Sequence, residues 1–133
     1  RFENPLDDAE SLVLDNNGNI TSIGQKTDNV KNIDGQYIGL MKFQNQGTEF
    51  LKSFYDKCKL RVRNGKNPLN PKVPFEKSYM TDLLHGMVNE GYKIKAIPVR
   101  NGWLELDSYD DFVKYQLMFK EKTISKFFNA YDN

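Results

Sequence analysis

The chain is poor in the residues that most often announce a site: one Cys, one His and one Trp among 133 residues. A lone Cys58 can close no internal disulfide, which excludes a disulfide-stapled scaffold and suits a reducing, cytoplasmic setting. A lone His85, with no Cys or His at ligand spacing, argues against zinc. Charge of one sign is lacking too. Nineteen Lys and Arg stand against 18 Asp and Glu, a formal net of +1, so nothing points to nucleic acid as a partner. No apolar run approaches the roughly 18 residues of a membrane span. Residues 1–5 lack the apolar stretch of a signal peptide. They also lack an initiating Met, so the sequence reads as a chain whose front is missing. What is present is core material: 38% hydrophobic and 13% aromatic residues, with nine Phe and seven Tyr. That is enough for one domain and too little for two.

The elements alternate. Residues 10–15 and 20–25 read as two short strands joined through Asn16-Asn17-Gly18-Asn19, residues that tolerate positive φ, and so as a β-hairpin. The apolar run at 37–43 (YIGLMKF) predicts a buried strand. From Gln46 to about Leu60 the apolar residues Phe50, Leu51, Phe54, Tyr55 and Cys58 recur at helical spacing. Residues 63–74 carry three Pro and one Gly, the mark of a long exposed loop. A second helix shows Met80, Leu83, Leu84, Met87 and Val88 on one side, with Gly91 just past its end. Residues 92–99 alternate like a strand, Asn101-Gly102 predicts a tight turn, and 103–106 predicts a short strand. Ser108 reads as the N-cap of a last helix, with Asp110 and Asp111 in its first turn and Phe112, Val113, Gln116 and Leu117 along it. Beyond it lies an aromatic tail with Phe127 and Phe128. This order implies an α/β fold with a mixed sheet, and so few strands imply an incomplete one.

Glu105 and Asp107 stand two residues apart. In an extended segment both carboxylates face one side and make a hard-oxygen pair suited to Mg²⁺. Trp103 shares that side, while Leu104 and Leu106 point into the core. A solvated strand face followed by a capped helix has the same spacing, and the pattern alone leaves both readings open. Trp103 is either core or a cation–π wall for a quaternary amine. By pattern, Lys26 is a surface lysine after a strand. Tyr79 either lines a small-ligand pocket or completes a helix edge, and Asp82 favours a helix's first turn. Cys58 falls on an apolar helix face and reads as buried and inert. The basic run at 57–66 reads as a solvated loop face.

Four segments in one order carry a resemblance. They are Asp15, Gly18, Ile20, Ile23, Gly24 and Lys26 in the hairpin; residues 37–43; Tyr79, Thr81, Asp82, Leu83 and Leu84; and Trp103, Glu105, Asp107, Ser108 and Asp111. Over roughly residues 9–117 the chain resembles the C-terminal part of the phosphocholine cytidylyltransferase-like sugar-phosphate nucleotidyltransferases. The resemblance implies a Rossmann-like α/β domain of which residues 1–133 are the acceptor-binding half. It implies attack by a phosphomonoester oxygen on the α-phosphate of a nucleoside triphosphate, with CTP favoured, and release of pyrophosphate. By resemblance, Lys26 and Asp107 are catalytic. Lys26, Gly39, Tyr79, Thr81, Asp82 and Trp103 hold substrate, and Glu105 and Asp107 hold Mg²⁺. The family's Gly-rich, Arg- and Lys-bearing loop and a further metal-binding Asp belong to an N-terminal half not found in these residues. Gln25 stands where many sugar-specific relatives place acidic residues, which points away from a hexose phosphate. The rival readings are a sugar-1-phosphate nucleotidyltransferase using another base and a degenerate domain that binds without catalysis.

Overall fold

The computed structural model describes residues 11–27, 29–62 and 65–128. The readings of residues 1–5, of Glu10 in the first strand, and of Arg63 and Asn64 in the long loop lie outside the described residues. The chain divides into two compact units, one through Ile97 and one from Pro98.

In the first unit, β1 (Ser11–Leu14) and β2 (Ile20–Ile23) form the expected hairpin, in the register Leu12↔Ile23 and Val13↔Ser22 with a bulge at Val13/Leu14. Its turn is built around Asp15. That carboxylate accepts from the backbone N–H of Asn17 and Asn19, both at 2.8 Å, and from Asn19 Nδ2 at 2.9 Å. Gly18 takes the positive φ of +71° that the turn requires. A third strand, β3 (Gly35–Gln36), pairs with the other edge of β1, so the sheet runs β2-β1-β3 and is antiparallel throughout. The chain is thus α/β as expected, and no parallel pair occurs among its described strands.

Two expected strands of this unit are corrected. Residues 37–43 join no ladder: pairing with β1 stops at Gln36, Leu40 is 80% exposed and Met41 is exposed too. Residues 92–99 make one isolated bridge, Asn19↔Lys95. There Ile20 N–H donates to Ile94 O at 2.8 Å and Ala96 N–H to Gly18 O at 3.1 Å. Alternating or apolar sequence favours an extended chain, but a strand also needs a free neighbouring edge. The described strands offer one only briefly.

The core lies between two helices, α1 (Gln46–Leu60) and α2 (Met80–Asn89). Phe54 and Cys58 from α1 and Leu83 and Met87 from α2 bury together with Phe75. Leu51, Val62, Leu69, Tyr92 and Ile94 close the edge. Burial raises the Cys58 thiol above its ordinary pKa, which keeps it protonated. The helices meet closely at Gly86, where a Cβ would fall 2.9 Å from Leu69 Cδ2 and 3.1 Å from Phe54 Cζ. At the C-terminal end of α2, Gly91 N–H donates to Val88 O and Tyr92 N–H to Met87 O, closing a Schellman motif. Glu90 beside it binds Lys57, and Arg61 Nη1 at 2.8 Å, which ties the end of α1 to the end of α2.

The second unit holds α3 (Tyr109–Lys120) and a 3₁₀ turn at Ile124–Lys126, with Tyr115 and Ile124 buried. Asn101 and Gly102 both have positive φ, the expected tight turn. It is tied to the end of the unit by Gly102 N–H donating to Phe127 O at 2.8 Å. Residues 103–106, expected as a strand, pair with no described strand, and Leu106 is 61% exposed instead of reaching a core. On α3 the buried residue is Tyr115. Phe112, Val113 and Leu117, whose spacing suggested the inner face, are exposed. The helix stops at Lys120, where Lys122 takes a positive φ and the Lys122 and Thr123 N–H groups bond back to Phe119 O and Met118 O.

Candidate functional site

Chemistry-bearing residues gather at the exit of β2 and the entry of α2. Ile23 is fully buried at the end of β2, and Gly24 turns the chain with φ +67°. The exit is tied to β1 twice, since Gly24 N–H donates to Ser11 O at 2.9 Å and the buried Ser11 hydroxyl donates to Gln25 O. On its other side Gly24 packs on α2: a Cβ there would lie 2.6 Å from Thr81 Cβ and 2.9 Å from Thr81 Oγ1. Lys26, two residues on, is exposed. Just after it, Thr27 Oγ1 accepts from Asn29 N–H at 3.3 Å. Lys26 therefore follows directly on a backbone that is tied to β1.

Tyr79 is the N-cap residue of α2 and is 66% exposed, whereas Thr81 is 6% exposed against Gly24. The Asp82 carboxylate accepts from Tyr79 N–H at 2.9 Å, satisfying an N-terminal donor of the helix. It also accepts from Asn70 Nδ2, at 3.2 Å to each oxygen. Gly39, with φ +78°, lies in the irregular segment and has open space where a Cβ would project. The structure thus brings together Lys26's segment and the Tyr79–Thr81–Asp82 turn.

The remaining expected residues lie on one segment of the second unit. Trp103 and Glu105 are half-buried and Asp107 is exposed. Ser108 caps α3 as expected, its Oγ accepting from Asp111 N–H at 3.2 Å. In return, the Asp111 carboxylate accepts from Ser108 N–H at 3.0 Å and from Asp107 N–H at 3.3 Å. Asp107's backbone is thereby fixed at the helix entry while its own carboxylate faces solvent. Among the described residues no group of three or more His, Cys, Asp or Glu side chains could hold a metal ion. No described helix is long and apolar enough to cross a membrane.

Sequence reasoning passed over Ser11 and the two Asn-Pro dipeptides. Asn67, nearly buried, donates to Ser78 Oγ at 2.7 Å and Val73 O at 3.1 Å and accepts from Leu69 N–H. Asn70 accepts from Lys72 N–H in the same way. These Asx turns fold the Pro-rich loop down onto the start of α2. The signal was there in the repeated Asn-Pro-x spacing.

No protein-family model and no solved structure matches the chain. It is 34% identical over 111 residues to the CTP:phosphoglutamine cytidylyltransferase of Campylobacter jejuni, a match covering 84% of this chain and 41% of that relative. The chain thus spans well under half the length of the relative. The likeness bears out the resemblance read from the motifs.

Proposed function

We propose, from that likeness, that the chain is the acceptor-holding part of a Rossmann-like nucleotidyltransferase that moves CMP from CTP onto a small phosphorylated acceptor. An acceptor phosphate oxygen bonds to the α-phosphorus of CTP as the bond to the bridging oxygen breaks, and pyrophosphate leaves. The observation that carries this reading is the likeness to a CTP-named cytidylyltransferase across most of the chain. The β2 exit supports it, since a cation at a fixed backbone position is what a phosphate acceptor needs.

In this reading Lys26 pairs with the acceptor phosphate and offsets its charge as it nears the triphosphate. Tyr79 and Gly39 border the acceptor, and Asp82 shapes the turn beside it. The oxygen donors of Glu105 and Asp107 fit Mg²⁺, which is held by one or two carboxylates together with substrate phosphates and water. When bound, that ion neutralises phosphate charge. Asp107 presents its carboxylate from a backbone position that Asp111 holds in place.

Pyrophosphate release by the full natural-length protein tests the reading. CTP is offered against UTP, GTP and dTTP, with phosphoglutamine, phosphocholine or glucose 1-phosphate as acceptor. The expected result is CTP-dependent release with phosphoglutamine or phosphocholine that stops when EDTA removes the metal. Turnover only with glucose 1-phosphate and another base would favour the sugar-nucleotide rival. No release with any pair would leave a binding domain and overturn the reading.

A further inference from the structure

Ser78 stands just before Tyr79, where the chain enters α2. Its Oγ accepts from Asn67 Nδ2 at 2.7 Å. The direction of that bond follows from the rest of the Asn67 amide, whose other partners are Val73 O at 3.1 Å and the Leu69 N–H at 2.9 Å. A carbonyl oxygen can only accept and a backbone N–H can only donate. The amide atom facing Val73 and Ser78 is therefore the NH₂, and the one facing Leu69 is the oxygen. Ser78 thus receives a hydrogen bond, and its own proton points elsewhere. Among the described residues nothing accepts that proton. Resting on the proposed transfer of CMP to a phosphorylated acceptor, we infer that the Ser78 hydroxyl is a fixed donor to that acceptor. It selects acceptors that carry a hydrogen-bond-accepting oxygen, a carboxylate or an amide, beyond the phosphate.

The way this hydroxyl is held sets it apart from an ordinary surface serine. Asn67 is 4% exposed, and Leu69, two residues on, packs against the cluster between α1 and α2. Phe75, a buried member of the same cluster, accepts from the Ser78 N–H at 3.1 Å. Both the Oγ and the N–H of Ser78 are therefore tied to residues anchored at the core. Ser78 itself is half-buried and Tyr79 beside it is 66% exposed, so the hydroxyl stands at the rim of the surface. Gly24 packs on Thr81 in the same turn, which brings the segment of Lys26 alongside. A donor set in advance costs little ordering when a ligand meets it. A half-buried donor left without a partner is costly. An acceptor that supplies an oxygen there is thus favoured over one that presents only methyl groups.

Two acceptors separate a binding role from a structural one. Phosphoglutamine carries a carboxylate, whereas the trimethylammonium end of phosphocholine offers no accepting atom. In the full natural-length protein with CTP, Ser78→Ala should raise KM for phosphoglutamine about tenfold or more, the scale of a lost hydrogen bond to a charged group. KM for CTP, and the affinity for phosphocholine read as KM or as a competitive Ki, should stay unchanged. Ser78→Thr, which keeps the hydroxyl, should behave like wild type. Thermal melts check folding, since Ser78→Ala leaves an Asn67 N–H unpaired. If that variant does not fold, Ser78→Cys fills the same place with a weak donor and acceptor and should show the same selective rise. An equal loss of both acceptors would make Ser78 a structural tie and overturn the inference while CMP transfer stands. So would an unchanged KM for phosphoglutamine in Ser78→Ala, or a wild type that turns over phosphocholine and not phosphoglutamine. Release of pyrophosphate with neither acceptor would overturn the transferase reading and the role of Ser78 together.

Discussion

Asp107 and Asp111 are one helical turn apart in sequence and have different tasks. Asp111 is a structural carboxylate: it accepts from Ser108 and Asp107 and completes the cap of α3. Replacing it with Asn should cost about 1 kcal/mol, the usual value of a helix cap, and leave most turnover intact. Asp107 uses only its backbone in that cap. Asp107→Asn should therefore melt like wild type and lose most metal-dependent pyrophosphate release; full activity in that variant would remove it from the proposed metal pair. Glu90 is a third kind of carboxylate. Its hydrogen bond from Lys57, with the help of Arg61, holds its carboxyl below the usual range, and the Asn19 side chain does the same for Asp15. Both groups have a folded pKa lower than the unfolded one. Their contribution is thus present above the unfolded carboxylate value and is lost as pH falls through the folded one. Glu90→Gln should lower the denaturant midpoint at neutral pH, by a margin that shrinks as pH falls below the ordinary carboxylate range. A gap that stays constant as pH falls would show that the tie acts by packing.

At the scale of elements, α2 shows why glycine sits inside a helix. Propensity alone would favour Ala at position 86 by roughly 1 kcal/mol. The added methyl would meet Leu69 Cδ2 at 2.9 Å and the buried Phe54 ring at 3.1 Å. Leu69 can swing aside and Phe54 cannot, so Gly86→Ala should destabilise by about 1–3 kcal/mol, as overpacked cores do. A stabilised variant would mean that α1 and α2 can separate freely there. The helices were the most legible part of the sequence because their signals are local. Ser108 with Asp111, Gly91 after α2, and the Leu51–Phe54–Cys58 spacing each act within a turn or two. Strands at 37–43 and 92–99 were misread because a strand is completed by a distant edge that no local pattern reports. The face of α3 was misjudged for a similar reason, since periodicity finds an apolar stripe and not what lies against it. Of the candidate site, the exposed Lys26 and Tyr79 were legible by motif. Ser11, Asn67 and the Gly24–Thr81 contact were not, as each acts through residues far along the chain.

For the molecule as a whole, the two units are unequally built. The first buries Phe54, Cys58, Phe75, Leu83 and Met87 in one cluster, while the second buries Tyr115 and Ile124. Amide exchange should therefore be slowest in α1 and α2 and faster throughout α3, because local stability follows buried apolar contact. Equal protection in α3 would show that its exposed Phe112, Val113 and Leu117 are covered in solution. The hairpin turn is reached by Lys95, whose ammonium donates to Asn17 O across 78 residues of sequence. Ile94, beside it, accepts from Ile20 and packs on the core. This seam has a consequence in time. The hairpin and both helices can begin forming from near neighbours, but the seam waits until a long loop has closed. It should be the last piece to assemble and the first to open. Ile94→Ala should then speed unfolding and leave the refolding rate nearly unchanged, the kinetic signature of a contact absent from the transition state. A slowed refolding arm would place the seam in the folding nucleus instead, with the hairpin and α2 drawn together through it from the start.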